Sequence, residues 1–268
     1  MADRSDCPLG VFDSGVGGLT VVSALRKLLP RESIVYLGDT ARLPYGSKSP
    51  DTIRRFATED TQFLLNRDVK AVIVACNTAT AHALPHLQKT FAVPVIGVVE
   101  PGVDATLSMG KCGRVGIIGT AGTVRSFAYQ HALALRQPDI RVEAVATPLL
   151  VPFIEEGWLD HPALKSVLEE YLSPMLANGV DTLVLGCTHY PLLIPVLQKL
   201  VGSKVRLVDS ASTCASFVKQ RLEAEGLLCE KTRKPTLEIH LTDYSEQFEH
   251  LARRFLGDDF GKIKKAEL

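Results

Sequence analysis

Two stretches of the chain end alike, each in a cysteine followed by polar residues. Thr182-Leu183-Val184-Leu185-Gly186-Cys187-Thr188-His189-Tyr190-Pro191 runs strand-forming residues into a small residue, a thiol, a hydroxyl and an imidazole. Ala71-Val72-Ile73-Val74-Ala75-Cys76-Asn77-Thr78 repeats the plan, with an amide and a hydroxyl after the thiol. A short unbroken apolar run reads as a buried parallel strand, and its carboxyl end is where α/β proteins carry their chemistry. The two cysteines are too far apart in the chain to form a local zinc or redox motif. Two matching strand ends, each with one thiol, point to a site where two thiols face each other. A free thiol titrates near about 8.5, and helix-start amides or a nearby cation lower that, so a thiolate base or nucleophile is within reach near neutral pH.

Other residues at or near strand ends fill out the set: Asp13, Ser14, Asp39, Asn77, Thr78, Thr120, Glu155, Thr188 and His189. Carboxylates and a histidine beside the thiols would tune which one is ionised and shuttle protons. The short hydroxyl and amide side chains, with helix-start N–H groups, suit the carboxylates of a small substrate. Rival chemistries fit less well. Cys187-Thr188-His189 lacks zinc-ligand spacing. A Cys–His hydrolase needs one thiol and leaves the echoed strand unexplained. A redox pair would lack a resolving motif, and no lysine follows a core strand to form a pyridoxal Schiff base. Cys7, Cys112, Cys214 and Cys229 read as small buried hydrophobes, the commonest fate of cysteine.

These residues need a frame, and the hydrophobic pattern supplies one. Strands are expected at 8–12, 33–37, 71–75, 93–99, 114–118, 141–145, 182–186, 205–209 and 236–241, with helices between most of them. The turn Asp13-Ser14-Gly15-Val16-Gly17-Gly18 follows the first strand and opens a helix over 19–29. Its glycine spacing fits neither nucleotide-binding pattern, leaving a carboxylate seat or a tight turn. Gly119-Thr120-Ala121-Gly122-Thr123 reads as a second anion-friendly helix start, before a helix over 124–135. In Pro44-Tyr45-Gly46, Pro44 fixes φ and Gly46 permits an unusual φ, which makes a shaped turn around Tyr45. Further helices are expected from Pro50 to about Asn66, over 80–90, 161–177 and 192–200, from a Ser210 cap to about Glu225, and over 244–256. Glu100-Pro101-Gly102 reads as a break after which the pattern restarts, and Gly257 onward as a solvated tail.

Alternating strands and helices imply α/β architecture with mostly parallel sheets. The 268 residues exceed the usual single-domain size, so two similar α/β halves are expected. Thirty basic residues balance thirty acidic ones, so no global field favours nucleic acid or an anionic membrane. No apolar run reaches membrane-spanning length, and Met1 to Asp6 lacks the apolar core of a signal peptide. Six scattered cysteines without a C-x-x-C motif argue for free thiols. The expectation is a soluble cytoplasmic enzyme.

The motifs Phe12-Asp13-Ser14-Gly15-Val16-Gly17-Gly18, Gly38-Asp39, Pro44-Tyr45-Gly46, Ala75-Cys76-Asn77-Thr78-Ala79 and Gly186-Cys187-Thr188-His189-Tyr190-Pro191 occur in an order that resembles the cofactor-independent aspartate and glutamate racemases, the glutamate branch most closely. The resemblance covers the chain to about residue 210. It implies interconversion of L- and D-glutamate, supplying D-glutamate for bacterial peptidoglycan, with no cofactor and no metal. It implies a site between two pseudo-symmetric α/β domains, residues 1–98 with 208–268 and residues 99–207, and a homodimer. By the same resemblance Cys76 takes the α-proton of D-glutamate and Cys187 that of L-glutamate. Asp13, Glu155 (favoured over Glu156) and His189 assist, with Asp39 as a further candidate. Substrate would meet Asp13, Ser14, Tyr45, Gly46, Asn77, Thr78, Thr120, Thr188 and His189. An aspartate racemase is the runner-up.

Overall fold

The computed structural model describes residues 4–108, 113–232, 234–244, 246–257 and 260–268. Two sheets, parallel in every pairing, divide the strands between them. The first begins with β1 (Leu9–Asp13), α1 (Leu19–Leu28) and β2 (Ile34–Gly38), and continues with α2 (Pro50–Leu65), β3 (Ala71–Val74), α3 (Asn77–Thr90) and β4 (Val95–Gly97). α4 (Val99–Ser108) leads to the second sheet. That sheet holds β5 (Arg114–Gly119), α5 (Ala121–Arg125), α6 (Ala128–Arg136), β6 (Arg141–Ala146), α7 (Leu150–Glu155), α8 (Pro162–Ala177), β7 (Thr182–Gly186), α9 (Ile194–Val201) and β8 (Arg206–Asp209). α10 (Ser210–Ala224) then brings the chain back, and β9 (Leu237–Leu241), α11 (Glu246–Leu256) and β10 (Ile263–Lys265) complete the first sheet. Because β8 pairs with β7 as far as Asp209, the return starts at Ser210, two residues past the expected boundary at 208.

Strand order is β10-β9-β2-β1-β3-β4 in one sheet and β6-β5-β7-β8 in the other. The segment β2-β1-β3-β4 and the whole second sheet therefore share one plan, with β3 matching β7. In each, the chain crosses to opposite sides of the central strand, so the crevice at the strand carboxyl ends opens beside β1 and β3 and beside β5 and β7. β1, β2, β3 and β7 are buried along their whole length, as apolar runs packed on both faces must be. Helices α1, α10 and α11 cover one face of the first sheet and α2 and α3 the other. In the second sheet α7, α8 and α9 oppose α4 and α6.

Several expected boundaries move. Glu100-Pro101-Gly102 does not break the chain but lies in the first turn of α4. There a proline forfeits no intrahelical bond, because the first N–H groups have no partner anyway. The helix expected over 124–135 is two helices, since Phe127 takes a left-handed φ of 56° between α5 and α6. Asp209, not Ser210, caps α10: its carboxylate accepts from the amides of Ala211 (3.0 Å) and Ser212 (2.8 Å). The stretch expected to be a solvated tail returns as β10, parallel to β9, with Phe260 and Ala266 buried. α7 was not foreseen at all. Among the described residues no helix is long and apolar enough to cross a membrane.

Candidate active site

Phe12 pairs with Val74 and Gly119 with Gly186. Extending each register sets Ser14 beside Cys76 and Thr120 beside Cys187, a hydroxyl next to a thiol at both sheet ends. α3 begins at Asn77, three residues before the expected Thr80, because Cys76 is its cap. The Cys76 Sγ accepts the Ala79 amide at 3.4 Å and donates to Ser14 Oγ at 3.6 Å. Cys187 Sγ lies 3.8 Å from His189 Nδ1, and His189 Nε2 lies 3.1 Å from Glu155 Oε1, which stands at the end of α7. Both thiols border one cleft of about 450 Å³, with Ser14, Thr78, Thr120, Thr188, His189 and Glu155.

Electrostatics separate the two sides. Burial pushes the Cys76 thiol up to about 12, and the charge of Asp13 adds to it. It therefore holds its proton through the neutral range. Burial disfavours charge on His189, but the hydrogen bonds to Cys187 and Glu155 outweigh it and hold the imidazole at about 10. A cation thus stands beside the Cys187 sulfur, the counter-charge that a thiolate there would need. Three threonine hydroxyls gather where the two sheets meet: Thr78 lies 2.8 Å from Thr120 and 3.3 Å from Thr123, and Thr120 lies 3.0 Å from Thr123.

Asp13 sits behind the cleft rather than in its lining. Its carboxylate accepts the Gly15 amide (3.0 Å) and the Thr188 hydroxyl (3.4 Å), and burial raises its pKa despite His189 nearby. The anion seat read into the glycine-rich turn is therefore filled by the chain's own carboxylate. At the second turn Thr120 Oγ1 accepts the Thr123 amide at 3.1 Å, so one of the helix-start amides is capped by the chain itself. The glycines serve close approach instead. A Cβ at Gly17 would collide with His189 and Thr188, and one at Gly46 would come within 2.8 Å of the Thr120 Cβ. Gly46 sits in a 3₁₀ turn, Tyr45–Ser47, and not at positive φ, so its expected conformational role gives way to a spatial one.

The polar ends of two expected substrate contacts are already engaged. Tyr45 borders the cleft, but its hydroxyl is shared between Asp39 and Asp60 behind it, and Arg42 pairs with both carboxylates. Asp39 is thus part of a buried network under the turn and does not line the cleft. The Asn77 amide is held by Tyr129 and Ser210. The sequence assigned no role to the hydroxyls of Tyr36 and Tyr190. Tyr36 donates to the Gly15 carbonyl at 2.6 Å, and Tyr190 binds Thr147 through contacts of 2.6 and 3.1 Å. Their partners lie 21 and 43 residues away in the chain, so no local pattern signals them. Arg125, also in the lining, was missed. Cys214 and Cys229 are free and buried as expected, Cys7 is partly exposed, and Cys112 lies outside the described residues. Among the described residues no group of three or more His, Cys, Asp and Glu side chains could hold a metal ion.

The chain matches the family model for Asp/Glu/hydantoin racemases over residues 19–218. It is 46% identical to the glutamate racemase of Geobacter metallireducens over 260 residues, which is 97% of this chain and 96% of the relative. It is 47% identical to that of Neisseria meningitidis over 262 residues, 97% of each chain. The structure matches glutamate racemase from Francisella tularensis in complex with D-glutamate, with a TM-score of 0.92 at 36% identity over 98% of both chains.

Proposed function

Because the chain belongs to the Asp/Glu/hydantoin racemase family, we propose that it interconverts L- and D-glutamate by passing the α-proton between Cys76 and Cys187. The observation that carries this reading is the pair of thiols at equivalent strand ends, one from each sheet, on a single cleft. Inversion of a carbon by proton transfer needs a base on one face and an acid on the other. From L-glutamate, Cys187 takes the proton as thiolate with the His189 cation beside it, and Cys76 delivers one as thiol. From D-glutamate the roles reverse. The carbanion has no cofactor to delocalise it, so the barrier falls only where placed donors stabilise charge growing on the α-carboxylate. Ser14, Thr78, Thr120, Thr188 and the amides that open α3 are short, neutral and pre-oriented for that work.

Glu155 rather than Glu156 is the auxiliary acid, on the strength of its 3.1 Å contact with His189. Asp13 acts from behind by holding the β1–α1 turn and facing His189. Asn77 and Tyr45 present backbone and ring to the substrate, their polar tips being occupied. The two sheets with their helices form two units, residues 1–98 with about 210–268 and 99–209, and the cleft between them closes over substrate. The product D-glutamate feeds peptidoglycan synthesis in the cytoplasm, and the enzyme works as a homodimer. The test follows the circular dichroism of L-glutamate with dialysed protein. The signal should decay to zero, and Cys76→Ser or Cys187→Ser should nearly abolish decay from either enantiomer, since an alcohol is a far poorer acid and base than a thiol. A stable signal with the parent protein would sink the reading.

A further inference from the structure

Tyr129 projects from α6, in the half of the molecule that carries Cys187, and its ring is 1% exposed. Its hydroxyl donates to Asn77 Oδ1 at 2.7 Å, and Asn77 is the residue directly after Cys76. Its ring edge passes Gly186, the residue directly before Cys187: a Cβ there would stand 3.5 Å from the ring's Cε2. The opposite edge lies against Gly102 in α4, where a Cβ would meet Cε1 at 3.2 Å. One rigid side chain is thus wedged between the backbone that ends in one thiol and the backbone that starts from the other.

We propose that Tyr129 is a positioning residue that sets the separation and aim of the two thiols. It touches neither substrate nor reacting atoms. Three features make it fit for that role. The ring has only two side-chain torsions, and burial on both faces fixes them, so it spans the gap as a strut rather than a tether. The hydroxyl stays protonated, because burial and the thiols of Cys214 and Cys187 push its pKa up. It therefore always donates, which orients the Asn77 amide with oxygen toward Tyr129 and nitrogen toward Ser210 Oγ, 3.4 Å away. With that amide pinned from both sides, the first turn of α3 cannot rotate, and Cys76 caps that turn through the Ala79 amide. At Gly102 the ring leaves a Cβ only 3.2 Å, while at Gly186 the ring lies in van der Waals contact and the Ile118 carbonyl, 2.9 Å from a Cβ, closes the remaining space.

The inference rests on the racemase reading, and the test separates the two. Tyr129→Phe keeps the strut and removes the donor, freeing the Asn77 amide to turn. Proton transfer depends steeply on alignment, and about an ångström of misplacement costs on the order of a hundredfold in rate. A partial loss of aim should lower kcat about tenfold in both directions, leave KM within about twofold, and raise the primary isotope effect measured with α-deuterated glutamate. A variant that merely folds poorly contains less active enzyme, which lowers kcat without changing the isotope effect. Parent-like kcat and isotope effect in Tyr129→Phe would overturn the proposal, and so would a lowered kcat with an unchanged isotope effect. If Tyr129→Phe fails to fold, Ser210→Ala, which releases the same amide from its other side, decides by the same two criteria. Absence of racemisation by the parent protein would sink the racemase reading instead.

Discussion

A histidine held at about 10 is a cation through the whole neutral range, and two neighbours keep it so against burial, the Cys187 sulfur on one nitrogen and Glu155 on the other. Glu155 is 30% exposed, so its contribution is partly screened and adjustable. That makes Glu155 the residue with which to move the pH dependence of turnover. Because its carboxylate raises the imidazole's pKa, replacing it by the neutral isostere in Glu155→Gln must lower that pKa. If the Cys187 thiolate works only beside the charged ring, the alkaline limb of kcat then shifts from near 10 toward neutral pH when L-glutamate is the substrate. The kcat profile is the one to measure, because it reports groups of the bound complex and not the free substrate's amine. A limb that stays in place would mean that His189 does not govern turnover. Cys76 has different surroundings, with burial and the charge of Asp13 raising its pKa, which suits a thiol that waits as the acid.

At the scale of elements, the cleft is built by turns that press against one another, and glycine is what lets them. The Tyr45–Ser47 turn rests on Thr120, and a methyl at Gly46 would leave 2.8 Å between two carbons. Gly46→Ala must therefore lift the turn off the threonine cluster. Overpacking of this kind costs about 1–3 kcal/mol, but the larger effect should fall on substrate binding. We expect KM for glutamate to rise about tenfold and the preference for glutamate over aspartate to shrink, because the lifted turn no longer matches the two-methylene spacing. Unchanged steady-state constants for both acids would dissociate this turn from the substrate. The alternation of strands and helices, the two thiols, His189 and the threonines were legible in the sequence because each is signalled by its own neighbours. The cap made by Cys76, the pairing of β10 and the hydroxyls of Tyr36, Tyr129 and Tyr190 were not, because each depends on a partner far away in the chain. Asp13 misled for the same reason: the turn after β1 does bind an anion, but the anion is the residue that begins the turn. Glu100-Pro101-Gly102 misled because a proline after a strand reads as a break, yet the first turn of a helix also accepts it.

At the scale of the molecule, the repeated plan β2-β1-β3-β4 and β6-β5-β7-β8 puts two fixed thiols, not one mobile base, at the cleft. Both are buried, and each is anchored by its own helix start or histidine, so neither can swing to serve both faces of a substrate. This difference leaves an isotopic signature. A single swinging base would return the proton it had removed, or one exchanged with solvent, to either face at random. Substrate and product would then gain solvent hydrogen together. With two fixed thiols, the proton removed stays on one sulfur while the product receives the proton already held by the other, which equilibrated with solvent before substrate bound. Starting from L-glutamate in heavy water, the first D-glutamate formed should carry deuterium at Cα while recovered L-glutamate carries almost none. Starting from D-glutamate, the labels should be exchanged. Mass spectrometry of the separated enantiomers at low conversion reads both pools in one sample. Equal deuterium in substrate and product at that stage would mean one base, and the correspondence between β3 and β7 would be a matter of architecture alone.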